Sequence, residues 1–226
     1  MRIDIWSDVV CPWCYIGKRR FDRAMENLRH GSEVGDALGD AVDDIEIVYR
    51  AYQLDPQAPP GSTAPVREVY ARKFGGPDRA QAIFDHLQAS ADADGITFAF
   101  DIAQRANTLD AHRLLWKTGR DHGYATQSAV KDRLLDAYFT RGRNIADHSV
   151  LVDVATQCWP TGRDDVASFL AGDDGRGDVV EELARAAAQG ITGVPTYLID
   201  GQWAIPGAQE TETFERVLRR VLDRAV

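Results

Sequence analysis

The chain has 226 residues, a net charge of −9 and a pI near 5.0. That length suffices for one large domain, or for one domain with a sizeable insertion, and the negative balance argues against nucleic acid or anionic membrane as partners because their phosphates would repel it. No stretch approaches the roughly twenty apolar residues of a membrane span, so a soluble protein is expected.

Arg2-Ile3-Asp4-Ile5-Trp6 reads as a short opening strand, and Phe21, Ala24, Met25 and Leu28 recur at helical spacing further on. Between them stands Cys11-Pro12-Trp13-Cys14, two thiols three positions apart at the start of that helix. Unpaired backbone N–H groups and the positive end of the helix dipole favour a thiolate there, so Cys11 is the expected nucleophile and Cys14 its resolving partner. Pro12 fits the first helical turn without loss, since its missing N–H would be an orphan and its φ is already helical. Trp13 reads as a partly exposed apolar surface beside the sulfur, suited to a peptide or a small disulfide; the plainer alternative is a core or surface tryptophan. C-x-x-C is also half of a tetrahedral zinc site. A closed site needs two more ligands, yet Cys158 stands alone and His30, His86, His112, His122 and His148 show no paired spacing. A redox dithiol without metal is therefore the leading reading.

A polar loop rich in Gly and Asp is expected from Gly31 to Asp44, then a half-buried strand in which Ile45, Ile47, Tyr49 and Ala51 alternate. Pro56, Pro59, Pro60 and Gly61 break regular structure between Gln53 and Ala64 and mark a boundary. From about Pro65 to Ala171 the pattern is helical, with Pro65 and Pro77 at first positions and Gly75, Gly95, Gly123 and Gly142 as stops. Ile96 to Phe100 fits either a strand or an extended loop. Asn107-Thr108 would cap a helix from Leu109 to His122, and Val130, Leu134 and Tyr138 mark one face of the next. Cys158 follows Leu151, Val154 and Ala155 on one stripe and is expected as a small buried core residue. A helix from Asp178 to Gln189 ends at Gly190. Two short strands then flank a two-residue Asp200-Gly201 turn, and Phe214, Val217, Leu218, Val221 and Leu222 form a closing amphipathic helix.

In this order, with Gly193-Val194-Pro195-Thr196 before the hairpin, the chain resembles the thioredoxin superfamily, an α/β fold that here carries a large all-helical insertion. More narrowly, Ser7-Asp8-Val9-Val10-Cys11-Pro12-Trp13-Cys14-Tyr15-Ile16-Gly17, Asn107-Thr108-Leu109-Asp110-Ala111-His112-Arg113-Leu114 and the Val-Pro-Thr segment resemble the cytoplasmic DsbA-family oxidoreductases called FrnE-like. The layout expected is a thioredoxin-like domain over 1–62 and 172–226 with a helical insertion over 63–171. The resemblance implies a cis Val194–Pro195 bond lying against the C-x-x-C, with Val194 offering backbone hydrogen bonds to a bound peptide. It implies thiol–disulfide exchange through a mixed disulfide, with protein thiols or disulfides or low-molecular-weight thiols as partners, and requires no metal or organic cofactor. Pro12 and Trp13 would tune the potential of the pair. An apolar surface on the insertion would suit a homodimer. The motif begins too early for a secretory signal ahead of it, and three cysteines fit a reducing compartment, so a cytoplasmic location is expected.

Kappa-class glutathione transferases and 2-hydroxychromene-2-carboxylate isomerases share this strand order and insertion. They generally carry Ser at the first cysteine and a Gly-Ser-Asp-like glutathione contact near the last helix, where this chain holds Cys11 and Gly207-Ala208-Gln209. A redox-sensing or chaperone-like binding module is the third reading. Asp8, three residues before Cys11, and His112 are secondary candidates for carrying a proton near the thiols.

Overall fold

The computed structural model describes residues 1–30, 41–61, 64–159 and 162–225. Strands β1 (Arg2–Ser7), β2 (Glu46–Ala51), β3 (Thr196–Ile199) and β4 (Trp203–Pro206) form one sheet in the order β2-β1-β3-β4. β1 and β2 are parallel, with Ile3 beside Ile47 and Ile5 beside Tyr49, whereas β1–β3 and β3–β4 are antiparallel. A parallel pair needs a long crossover, and helix α1 (Pro12–His30) lies within it.

Helix α1 serves two cores because its apolar residues occupy two faces. Phe21, Ala24, Met25 and Leu28 join Ile3, Ile5, Ile47 and Tyr49 from one face of the sheet and Phe214, Leu218 and Leu222 from the last helix, α8 (Thr211–Ala225). Each such buried side chain contributes on the order of 2 kcal/mol before entropy is counted. On its other face, Tyr15 and Ile16 enter the core of the insertion, built from α2 (Val66–Phe74), α3 (Pro77–Ala91), α4 (Leu109–Phe139), α5 (His148–Ala155) and α6 (Arg163–Ala171). Helix α7 (Arg176–Ala188) covers the opposite sheet face, where Ala186 and Ile191 enclose Trp6.

The β2 edge is closed by side chains rather than by another strand. Gln127 of α4 accepts from the Tyr49 N–H at 3.2 Å, and Glu182 of α7 accepts from the Ala51 N–H at 2.9 Å. Outward N–H groups on an edge strand otherwise invite pairing with another chain.

Several expectations shift at element ends. Residues 31–40 of the expected polar loop lie outside the described residues, and 41–43 are helical, with Val42 buried in the sheet core. Pro65 stands one residue ahead of α2 as its N-cap rather than inside it, while Pro77 does open α3. Gly123 adopts φ 77° and ψ 179° inside α4, so it breaks the helix locally while the chain resumes helix at once and runs on to Phe139. Ile96 to Phe100 is an extended loop whose phenylalanines Phe98 and Phe100 stack with centroids 5.0 Å apart. Cys158 lies in the turn beyond α5, half-buried, because that helix ends at Ala155 before the stripe reaches it. The hairpin loop is one residue longer than expected: Ile199 pairs with Trp203, with Asp200 and Gly201 both at positive φ and the Gln202 N–H donating to the Ile199 carbonyl.

The Asn107 to Leu114 segment acts as an internal fastener. Asn107 accepts from the Leu109 N–H and donates to the Ala58 carbonyl. Arg113, 1% exposed, donates to the Phe169, Gly172 and Asp174 carbonyls at 3.1, 2.6 and 3.0 Å and to Asp110 at 2.8 Å, satisfying orphan groups at the C-terminus of α6. Replacing it removes the donor these three carbonyls and Asp110 share. Arg113→Met is therefore expected to lower unfolding free energy by roughly 2–4 kcal/mol in urea titrations. A loss below about 0.5 kcal/mol, the scale of a neutral surface change, would contradict that role.

Candidate active site

The turn after β1 presents the dithiol. Cys11 immediately precedes α1, its N–H donates to the Asp8 carbonyl, and its own carbonyl accepts from the Cys14 and Tyr15 N–H groups at 3.0 and 3.3 Å, which closes the first helical turn. Pro12 is buried at the first helical position, and Trp13 is half-buried, packed on the insertion core with its ring 5.8 Å from the His86 ring. Both thiols are deeply placed, Cys11 at 3% and Cys14 at 1% exposure.

Opposite lies the loop before β3. The Val194–Pro195 peptide bond is cis, and the Cys11 thiol donates to the Val194 carbonyl at 3.5 Å. The Pro195 carbonyl is engaged by the Gly207 N–H at 2.8 Å, and the Thr196 hydroxyl donates to the Gly193 carbonyl at 2.8 Å. The approach of α1 to this loop depends on Gly17. A Cβ built there would stand 2.8 Å from the Tyr197 hydroxyl and 3.0 Å from Pro195 Cγ, inside contact distance. Beside the turn, a cleft of about 340 Å³ is lined by Val10, Val66, Tyr70, Lys73, Arg105 and Tyr138.

Asp8 has no exposed surface, and its carboxylate is met from the insertion and from the chain leaving β2. One oxygen lies 3.1 Å from His112 Nε2 and the other accepts from the Leu54 N–H at 2.8 Å. His112 thus meets Asp8, and no contact of the ring with a sulfur accompanies this pairing among the described hydrogen bonds.

The two thiols differ in their electrostatics. The hydrogen bond shared with Cys14 raises the Cys11 thiol well above the usual range, and burial, the Cys14 charge and the Asp8 carboxylate add to this against the Cys14 N–H. Burial would raise Cys14 too, but the hydrogen bond from Cys11, the Lys131 charge, the Ser7 hydroxyl and the Asp8 backbone together bring it down. Of the two thiols Cys14 is therefore the more readily ionised, and the Cys11 thiol points toward Val194. The helix terminus does not win at Cys11, because its partners there are a second sulfur and a buried carboxylate rather than water.

Sequence reasoning missed Lys131 and Tyr70. Lys131 is 1% exposed on α4 and its pKa is lowered to about 8 by burial, against the fields of Cys14, Asp8 and Cys11. Tyr70 of α2 is pushed up to about 12 by burial and then by Cys11. Gln127 and Lys131 interrupt the apolar stripe of Val130, Leu134 and Tyr138, and a polar residue on such a stripe was the available signal. Among the described residues no three His, Cys, Asp or Glu side chains converge as a metal site.

The mixed four-stranded sheet with its long helical insertion defines the class as thioredoxin-like. The model of the DSBA-like thioredoxin domain family matches residues 2–219. The chain belongs to that family, whose members are disulfide oxidoreductases or isomerases. It is 31% identical to a probable DsbA oxidoreductase of Streptomyces coelicolor, with a TM-score of 0.84 over 97% of this chain and 89% of the other. At 16% identity it shares its fold with the cytosolic disulfide reductase DsbM of Pseudomonas aeruginosa, TM-score 0.67, over 99% of each chain. It shares it equally, at 16% identity and TM-score 0.69, with a 2-hydroxychromene-2-carboxylate isomerase, over 100% of this chain and 98% of the other.

The charge of Asp8 opposes ionisation of Cys11, so removing it must act in the acid direction. Asp8→Asn keeps an oxygen to accept from Leu54. In the reduced variant the second, Cys11 step of thiolate absorbance near 240 nm is expected at lower pH than in wild type, and an unchanged or upward-shifted second step would contradict the assignment.

Proposed function

We propose that the protein is a thiol–disulfide oxidoreductase in which Cys11 exchanges with the substrate and Cys14 resolves the mixed disulfide. One observation carries this reading: the Cys11 thiol faces the Val194 carbonyl of the cis Val194–Pro195 loop at 3.5 Å, while Cys14 lies one turn further into α1 among Ser7, Asp8 and Lys131. The sulfur toward the loop is the one a docked peptide would meet, and Val194 would hold that peptide through its backbone.

The proton arrangement suits this division. As a substrate disulfide approaches, the Cys11 S–H turns from the Val194 carbonyl to Cys14 and passes its proton there, leaving Cys11 as the nucleophile. Cys11 then bonds to one substrate sulfur and the other leaves as a thiol. Cys14, deprotonated again, attacks Cys11, and the second substrate sulfur departs as the Cys11–Cys14 disulfide closes. Run backwards, the same steps oxidise a substrate dithiol. Pro12 and Trp13 shape the turn that fixes the two sulfurs.

Protein disulfides and low-molecular-weight thiols are both admissible partners for this geometry. The isomerase fold shared by this chain does not decide between chemistries, because function follows the site. Here a second thiol stands within hydrogen-bonding reach of the first, which exchange chemistry uses and a bound-thiol isomerisation does not. The FrnE-like grouping and a cytoplasmic setting, where thiols are kept reduced, belong to the same reading.

Turnover of insulin reduction with a thiol donor checks the assignment. Cys11→Ser is expected to lose at least 100-fold in rate, and Cys14→Ser to accumulate a mixed disulfide on Cys11 visible by mass spectrometry. Undiminished turnover in Cys11→Ser, or adducts formed on Cys158 instead, would refute it.

A further inference from the structure

Lys131 is a charge in the interior with no local explanation. It lies on the buried face of α4 with 1% exposure, and its Nζ has no hydrogen-bond partner among the described residues. Its one direct contact of note is the face of the Tyr49 ring on β2, 5.1 Å from Nζ to centroid. Besides Tyr49, the groups whose charge acts on it most are Cys14, Lys18 and Cys11 of the α1 region and Asp8 of the preceding turn. Two of these are already engaged: Asp8 is held by His112 and the Leu54 N–H, and Lys18 by Asp22. For packing alone a methionine of similar length would fill this place without burying an ammonium.

We propose that Lys131 is a positioning residue whose ammonium is the buried countercharge of the Cys14 thiolate, stabilising the reduced dithiol over the disulfide and so poising the site to accept electrons from substrate thiols. This rests on the reading of Cys11 and Cys14 as a redox couple. The two redox states differ in what surrounds the ammonium. In the disulfide neither sulfur is charged, so the ammonium keeps only a ring face and an already saturated carboxylate. In the reduced protein the Cys14 thiolate offsets its desolvation. The reaction favoured is balanced: a substrate dithiol gives two electrons to the Cys11–Cys14 bond and becomes a disulfide. One of its protons goes to Cys11, the other goes to solvent, and Cys14 remains a thiolate beside Lys131.

The test is a glutathione redox titration of the full chain at pH 7 for wild type, Lys131→Met and Lys131→Arg, with thermal melts of the oxidised and reduced forms. Lys131→Met is expected to disfavour reduction at least tenfold, about 30 mV for two electrons, while Lys131→Arg stays within threefold of wild type. Lys131→Met is also expected to raise the melting temperature of the oxidised form more than that of the reduced form. An unchanged couple in Lys131→Met, equal shifts in both variants, or equal stabilisation of both redox forms overturns the proposal. Should Lys131→Met not fold, Lys131→Gln, equally neutral, reads the same quantities. A wild-type protein that forms no reversible couple overturns the dithiol reading as well, whereas a normal wild-type couple untouched by neutralising Lys131 overturns this inference alone.

Discussion

A carboxylate with no exposed surface must find its partners inside the protein, and Asp8 finds one in the insertion and one at the exit from β2. Its oxygens are taken by His112 on α4 and by the Leu54 N–H at the exit from β2, while its carbonyl receives the Cys11 N–H. The turn that presents the dithiol is thereby tied to elements 46 and 104 residues away in sequence. Without that closure the carboxylate would stay in water, and the helical layer would have no polar anchor at the site.

The consequence is a dithiol buried among charges instead of a helix terminus open to solvent. Helix dipole effects are worth a few tenths of a kcal/mol to about 2 kcal/mol. A neighbouring sulfur, a carboxylate and an ammonium inside the protein compete on equal or better terms. That competition raises Cys11 and lowers Cys14. Gly17 completes the arrangement from the other side, since its missing side chain lets α1 close onto Pro195 and Tyr197.

Much of this was legible in the sequence where the signal is local. The alternation of Ile45, Ile47, Tyr49 and Ala51, the amphipathic stripes of α1 and α8, and the C-x-x-C followed far downstream by Val-Pro-Thr each carry their own period or spacing. What was not legible depends on contacts between distant residues. His112 reads as a helical histidine until Asp8 is placed beside it, and Lys131 reads as a solvated lysine until α4 packs against α1 and β2. Gly123 looked like a stop because a positive φ usually ends a helix, yet Gln127 just beyond it donates to the Leu115 carbonyl at 3.1 Å, bridging the break. Cys158 fits the stripe of α5, but the helix ends three residues short of it.

As proposed, Cys11 and Cys14 form one two-electron couple against the cis-proline loop, with Cys158 standing apart. Its most direct measurement is the alkylation state of each cysteine, mapped by peptide mass across a reversible glutathione titration. The predicted result is a single transition in which Cys11 and Cys14 become protected together as one intramolecular disulfide while Cys158 never pairs. Disulfides involving Cys158, or Cys11 and Cys14 remaining free at every glutathione ratio, would contradict it.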